Sequence, residues 1–208
     1  MQHTNAKIIH FIRHGKTSYN QNKQIQGSSD IPLSDIGIAQ AQEFNSIDFL
    51  PTYDIAYHSS LVRAKKTLDI LLEKVENKPK VLMSDLIKER AYGVFEGLKD
   101  HEIEEKYPDT FRKWKLDENT PIPGADTIDS VIDKMLEFIT LIEKSEYTNV
   151  LAVTHSGVLF ALYKYITQTK LGERPKDIYF ANCCSVYLTI KYENGIRKLE
   201  FKFGDKIY

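Results

Sequence analysis

The sequence predicts an α/β fold: a three-layer sandwich with a mainly parallel central sheet, a helical insertion over the carboxyl ends of the strands, and a C-terminal β-hairpin. Three observations lead there. Short apolar, β-branched runs alternate with stretches of helical periodicity, the pattern of helices packed on a parallel sheet. The clearest such run, Val150 to Thr154 (VLAVT), passes directly into a helix-like stretch after His155-Ser156-Gly157. The chain ends on two strand-like runs that flank Glu193-Asn194-Gly195, a hairpin turn signal.

Taken in order, Ala6 to Ile12 (AKIIHFI) reads as a first buried strand that stops at Arg13-His14-Gly15. Gln24 to Asp35 has loop chemistry, with Gly27, Pro32 and a helix cap at Ser34 or Asp35, and a helix follows through Phe44. Asp54 to His58 (DIAYH) is a second strand. Ser59 and Ser60 cap a helix from Leu61 to about Val75, whose apolar residues Leu61, Ala64, Leu68, Leu71, Leu72 and Val75 recur at helical spacing. Lys80 to Met83 is a short third strand. Residues 90–127 are broken by Gly93, Gly97, Pro108, Pro121, Pro123 and Gly124, and read as short helices in an insertion. Thr127 to Lys144 carries a strong helical stripe, from Ile128 and Val131 to Phe138 and Ile142. The hairpin pairs Cys184 to Tyr192 with Ile196 to Phe203.

Composition narrows the function. The 208 residues fit a single domain, 1–208, with the insertion at about 90–127. Formal net charge is 28 − 29 = −1, so no global field draws nucleic acid or an anionic membrane. An anionic ligand would need a local cluster of cations. No run approaches the apolar length that crosses a bilayer, and no basic head precedes an apolar stretch, so the cytoplasm is the expected place. No pattern sets an oligomeric state. The only cysteines, Cys183 and Cys184, are adjacent, too close for an unstrained disulfide and too few for a zinc cage; they read as small buried strand residues.

Four places carry chemistry. Arg13-His14-Gly15 sets a guanidinium and an imidazole just past a strand, beside a residue that lets the backbone approach a ligand. A neutral imidazole nitrogen can attack phosphorus and split hydrolysis into two easier steps. His155 follows a buried strand and opens a helix, where free N–H groups suit an oxyanion. Ligands of such sheets bind at strand carboxyl ends, so both histidines fall on one rim. Arg63 lies in the first turn of a helix, where a cation is unfavourable unless an anion is near. Glu89, after the third strand, could protonate a leaving oxygen; its alternative is an ion pair with Lys88 or Arg90.

These residues lie in segments that resemble the histidine phosphatase (phosphoglycerate mutase-like) superfamily over nearly the whole chain. RHGKTSYNQNKQIQGSSDIPLSDIGIAQA is similar to the family opening, SSLVRAKKT to the Ser-x-x-x-Arg-Ala-x-x-Thr helix start, LIKERAYGVFEGL to the acid-bearing segment and VLAVTHSGVLFAL to the second histidine. Four ordered motifs are far more specific than one tripeptide. The resemblance implies a phosphoric monoester hydrolase of the histidine acid phosphatase type. His14 would be the phosphorylated nucleophile, Arg13, Arg63 and His155 would surround the phosphoryl oxygens, and Glu89 would donate and accept the proton. Asn20, Gln26 and Gly27 match positions that line the phosphate pocket. Neither metal nor other cofactor is implied, since two arginines and histidine donors supply the positive charge. Those cations are also expected to depress the His14 pKa.

The chain departs from the family pattern at Lys16, Ser156, Phe160 and Asp126, positions expected to border the pocket and tune substrate preference. Three functions compete: a phosphatase acting on a small phosphorylated metabolite, a cofactor-dependent phosphoglycerate mutase, and a non-catalytic binder of phosphorylated ligands. The mutase would need a lysine and paired arginines in the insertion, and Leu98-Lys99-Asp100-His101 and Phe111-Arg112-Lys113-Trp114 give no clear match. All five expected catalytic residues are present, which disfavours the binder. The aromatics Tyr19, Tyr92, Phe95 and Trp114 could shape a lid or form the core of the insertion.

Overall fold

A computed structural model describes residues 6–46, 52–169 and 178–208. Its centre is a seven-stranded sheet in the order β3-β2-β4-β1-β5-β6-β7. The four strands β1 (Lys7–Arg13), β2 (Ile55–His58), β3 (Lys80–Met83) and β4 (Asn149–Thr154) run parallel. β5 (Ser185–Glu193), β6 (Ile196–Phe203) and the two-residue β7 (Lys206–Ile207) continue antiparallel from the other edge of β1. Asn194 and Gly195 turn the hairpin with φ of 53° and 78°, the positive-φ pair that matches strand twist.

Strand side chains alternate between two apolar layers, which makes the three-layer sandwich. Ile9, Phe11, Ile55, Tyr57, Val150 and Ala152 face α6 (Ile128–Lys144) and α7 (Ser156–Thr167). Ile12, Ala56, Leu151 and Val153 face α3 (Val62–Leu71). α2 (Asp35–Ser46) packs against α3 and begins after Ser34, whose hydroxyl accepts the Gly37 N–H at 3.2 Å. A four-residue α1 (Ser18–Gln21) is capped by Thr17 and was not evident from periodicity, being shorter than two turns.

Residues 90–127 form the expected short helices. After a 3₁₀ turn at Gly93–Phe95 come α4 (Asp100–Lys106) and α5 (Pro108–Leu116), packed about Phe95, Ile103, Phe111, Trp114 and Ile122. Two backbone bonds, Ile25 N–H to Leu98 O at 2.9 Å and Gly97 N–H to Ile25 O at 2.8 Å, tie this cluster to the loop after the first motif. On its far side Glu118 pairs with the buried Lys164 of α7.

Two expectations need correction. The helix after β2 spans Val62–Leu71, not Leu61 to Val75, and Leu61 occupies the N-cap with no side-chain cap. Its first N–H, of Val62, is satisfied from outside by Asp30 Oδ1 at 2.8 Å, while Ser60 binds Asp85 instead. The cysteines lie not in a strand but in the turn before β5: Cys183 has φ +57°, and both residues bond the Arg13 backbone. Local apolar content does not reveal that bend.

The core gives a stability contrast. Phe138, fully buried, meets Tyr57 edge-on at 5.2 Å and Phe11 at 6.2 Å. Phe138→Ala is expected to lower the unfolding free energy by about 3–5 kcal/mol. Met83→Ala, on the exposed edge strand, should change it by less than about 0.5 kcal/mol. Urea denaturation of the two variants checks both values.

Candidate active site

β1 and β4 pair in register, Arg13 opposite Thr154, and the His14 N–H continues the ladder to Thr154 O at 3.0 Å. His14 and His155, the next residues on each chain, therefore emerge side by side with ring centroids 5.0 Å apart. That is about the spacing of neighbouring strands. β2 pairs along the other edge of β4 and delivers Ser59 and then α3, whose second residue is Arg63. Residues separated by 141 positions are thus joined by strand register, not by loop conformation.

His14 is fully buried, and its Nδ1 donates to Gly15 O at 2.7 Å. The remaining lone pair is then on Nε2, which bonds none of the described residues and is the nitrogen available to a ligand. Its pKa lies well below the ordinary 6.5, first through burial, then through Arg63 and Arg13, against the raising effect of the Gly15 bond. The cations act as the sequence suggested, but desolvation leads. Gly15 serves a purpose other than ligand approach: a Cβ there would stand 2.5 Å from Gly37 O, so the glycine lets α2 close against the motif.

Arg13 donates from Nη1 to Phe180 O at 2.5 Å and leaves Nε buried without a partner. Arg63, at 0% exposure, holds Ser29 O at 2.6 Å and Gly27 O at 2.7 Å, and its Nε is likewise unpaired. His155 is bound at Nε2 by Ser59 Oγ at 2.6 Å, while its Nδ1 is buried and unbonded. Three unpaired N–H or ring nitrogen groups among the cations and histidines are unusual in a packed interior, where buried polar groups are satisfied. They suit the oxygens of a phosphoryl group.

Glu89 is partly buried and accepts from the Arg90 N–H at 3.0 Å and the Gly157 N–H at 3.3 Å. Arg90 turns its guanidinium to Asp126 O and Glu118 O and over Tyr92, so Glu89 forms no ion pair with it. Burial raises the Glu89 pKa, and Arg63 opposes that rise less strongly. A Cβ at position 157 would collide with Glu89 Oε1, which explains the glycine two residues after His155.

A cleft of about 280 Å³ opens on this rim, lined at one end by Arg13, His14, Asn20, Gln26, Gly27 and Glu89. Ile25, Tyr92, Asp100, Trp114 and Lys115 line the other. Arg63 and His155, both fully buried, do not line the cleft. Of the four aromatics, Tyr92 and Trp114 face the cleft and Phe95 belongs to the insertion core. Lys16, Ser156, Phe160 and Asp126 do not line the cleft, contrary to expectation. Phe160 instead packs edge-on against Phe180 at 4.9 Å, on the core side of α7, and Asp126 accepts the Ala91 N–H. Among the described residues no group of three His, Cys, Asp or Glu side chains could hold a metal ion.

Several supporting residues take roles that the sequence motifs did not assign. Asn182 donates to His14 O at 3.0 Å and to Asn20 Oδ1 at 3.3 Å, and Thr67 Oγ1 accepts the Gly15 N–H at 3.0 Å. Glu96 accepts from Ser28, Ser29 and Tyr92 and so fixes the loop that Arg63 grips.

The model of the histidine phosphatase superfamily (branch 1) matches residues 9–201. The chain belongs to this superfamily. One relative, a metal-independent phosphoserine phosphatase of Arabidopsis thaliana, is 31% identical over 163 residues, 77% of this chain and 68% of the relative. Another, a 2,3-bisphosphoglycerate-dependent phosphoglycerate mutase of Gloeobacter violaceus, is 28% identical over 160 residues, 74% and 73% of the two chains. The solved structure of an alpha-ribazole phosphatase from Shigella flexneri superposes with a TM-score of 0.76 at 23% identity, covering 95% of this chain and 96% of that one. Superfamily membership and the phosphatase relative support a phosphatase, and the solved structure shows the shared fold. No helix among the described residues is long and apolar enough to cross a membrane.

The buried histidines make stability pH-dependent. His14 and His155 are held well below 6.5, and His10, bonded to Tyr53 and Ser185, is pushed down to about 3 by burial. Below 6.5 the unfolded chain takes up protons that the folded chain refuses, so stability falls as pH falls. Glu89 acts in the opposite sense: its raised pKa contributes stability in acid that is lost as pH rises through the raised value. Three histidines outnumber one carboxyl, so the urea midpoint is expected to be lower at pH 5.5 than at pH 7.5.

Proposed function

We propose that this chain is a metal-independent phosphomonoester phosphatase that acts on a small phosphorylated metabolite through a phosphohistidine at His14 Nε2. The observation that carries the reading is the hydrogen bond from His14 Nδ1 to Gly15 O, which leaves Nε2 as an unprotonated lone pair within the influence of the Arg63 and Arg13 charges. In the first step Nε2 attacks phosphorus and the ester oxygen departs with the proton of Glu89, whose raised pKa favours the protonated carboxyl. In the second, the Glu89 carboxylate takes a proton from water, the water oxygen bonds phosphorus, and the P–N bond breaks to release phosphate and restore His14. Arg13 and Arg63 balance the charge that spreads over the phosphoryl oxygens, the task a metal performs elsewhere.

The mutase reading has the Gloeobacter relative in its favour. Against it, Asp100 brings a carboxylate to the outer end of the cleft, where a second anionic group would have to rest. Its partner Lys115, at 2.6 Å, neutralises it but provides no surplus of positive charge.

Phosphate release from a panel of esters is expected to proceed unchanged in excess EDTA and to outrun exchange between 3- and 2-phosphoglycerate. Faster exchange than release would overturn the assignment in favour of the mutase. His14→Ala should abolish turnover, and an active His14→Ala enzyme sinks the proposed nucleophile. Glu89→Gln should lower kcat by about 10²–10⁴-fold while leaving the fold intact.

A further inference from the structure

We infer that Ser59 is a positioning residue that fixes the proton of His155 on Nδ1, so that His155 meets the phosphoryl group as a hydrogen-bond donor. This rests on the reading above, in which that group lies against His14 and its buried neighbours.

Ser59 follows the last residue of β2 and is fully buried, with its own N–H bonded to Val153 O at 3.2 Å. Its hydroxyl has two polar neighbours. The Leu61 N–H, at 3.3 Å, can only donate to it. His155 Nε2, at 2.6 Å, is the one acceptor it bonds among the described residues. The Ser59 proton therefore points at Nε2. Were Nε2 to carry a proton instead, the hydroxyl proton would be stranded in a dry interior, an arrangement native structures avoid.

A neutral imidazole carries one proton, and His155 is kept neutral by burial, reinforced by Arg63, His14, Arg13 and Lys88. With Nε2 occupied as acceptor, that proton belongs to Nδ1. The two nitrogens point to different sides of the ring, so Nδ1–H faces away from Ser59, where it is buried and unbonded. The two histidines then carry opposite tautomers. His14 has its proton on Nδ1, donated to Gly15 O, and presents a lone pair at Nε2. His155 presents an N–H. The opposite choice at His155 would aim a lone pair at anionic oxygens and repel them.

Ser59 touches no reacting atom, so its effect must pass through the imidazole. In the full-length protein labelled with ¹⁵N-histidine, His155 is expected to show a protonated Nδ1 and an acceptor-type Nε2. Ser59→Ala should mix the two tautomers and lower kcat on p-nitrophenyl phosphate by about ten- to a hundredfold, the scale of losing a group that only orients another. Vanadate binding should weaken in parallel, and Ser59→Thr, which keeps the hydroxyl, should restore the wild-type spectrum. A wild-type His155 protonated on Nε2 refutes the inference, as does a Ser59→Ala enzyme with kcat within about twofold of wild type. The tautomer is read without turnover, so a failure of the His14 mechanism would leave that measurement standing and be recognised separately.

Discussion

The pairing of β1 with β4 is the constraint on which the site depends. Arg13 opposite Thr154 puts the first residues beyond each strand side by side, and the His14 N–H to Thr154 O bond carries the ladder one step past the strand end. A slip by one residue would turn His14 to the other face of the sheet. The apolar alternation forbids that slip, since Phe11 would exchange layers with Ile12 and leave the α6–α7 core for the α3 face. Chemistry at the rim is therefore held in place by hydrophobic burial a few residues below it.

Above that frame, cations and an acid are kept close without neutralising one another. Arg63 uses two guanidinium nitrogens on backbone carbonyls and Arg13 uses one, so each is anchored by neutral oxygens and keeps its charge for the cleft. Glu89 is held by two backbone N–H groups, not by either arginine. Fixing charged groups through uncharged partners allows a low-dielectric site to hold a strong field with little reorganisation. Desolvation then works in the useful direction on both kinds of group, keeping His14 unprotonated and Glu89 inclined to hold its proton.

Much of this was legible in the sequence, and the division follows a physical line. The sheet, the two histidines past strand ends, Arg63 at a helix start and the apolar stripe of α6 are local signals, written within a few residues of where they act. Glu89 was readable as a candidate beside a rival reading, an ion pair with Lys88 or Arg90, and the Arg90 half of that rival is removed by tertiary contacts that turn Arg90 to Asp126 O and Glu118 O. Asn182, Thr67, Glu96 and Ser59 were illegible in their present roles because each acts through a partner distant in sequence. The family pattern, by contrast, misplaced Phe160 beside the pocket: a motif position does not say which neighbour a changed side chain packs on, and here it packs on Phe180. Cys183 and Cys184 show the converse, where apolar character suggested a strand and backbone pairing with Arg13 produced a turn.

The Lys164–Glu118 pair carries a consequence for how this chain can vary. One partner belongs to the helix that begins beside His155 and the other to the return path of the insertion, and Lys164 is 2% exposed. Removing one member breaks an ion pair in a mostly buried place, whereas replacing both by apolar residues of similar volume can be tolerated. Substitutions at these positions are thus coupled: each is harmful on its own and acceptable in company. In a lineage the insertion and α7 are therefore not expected to drift independently.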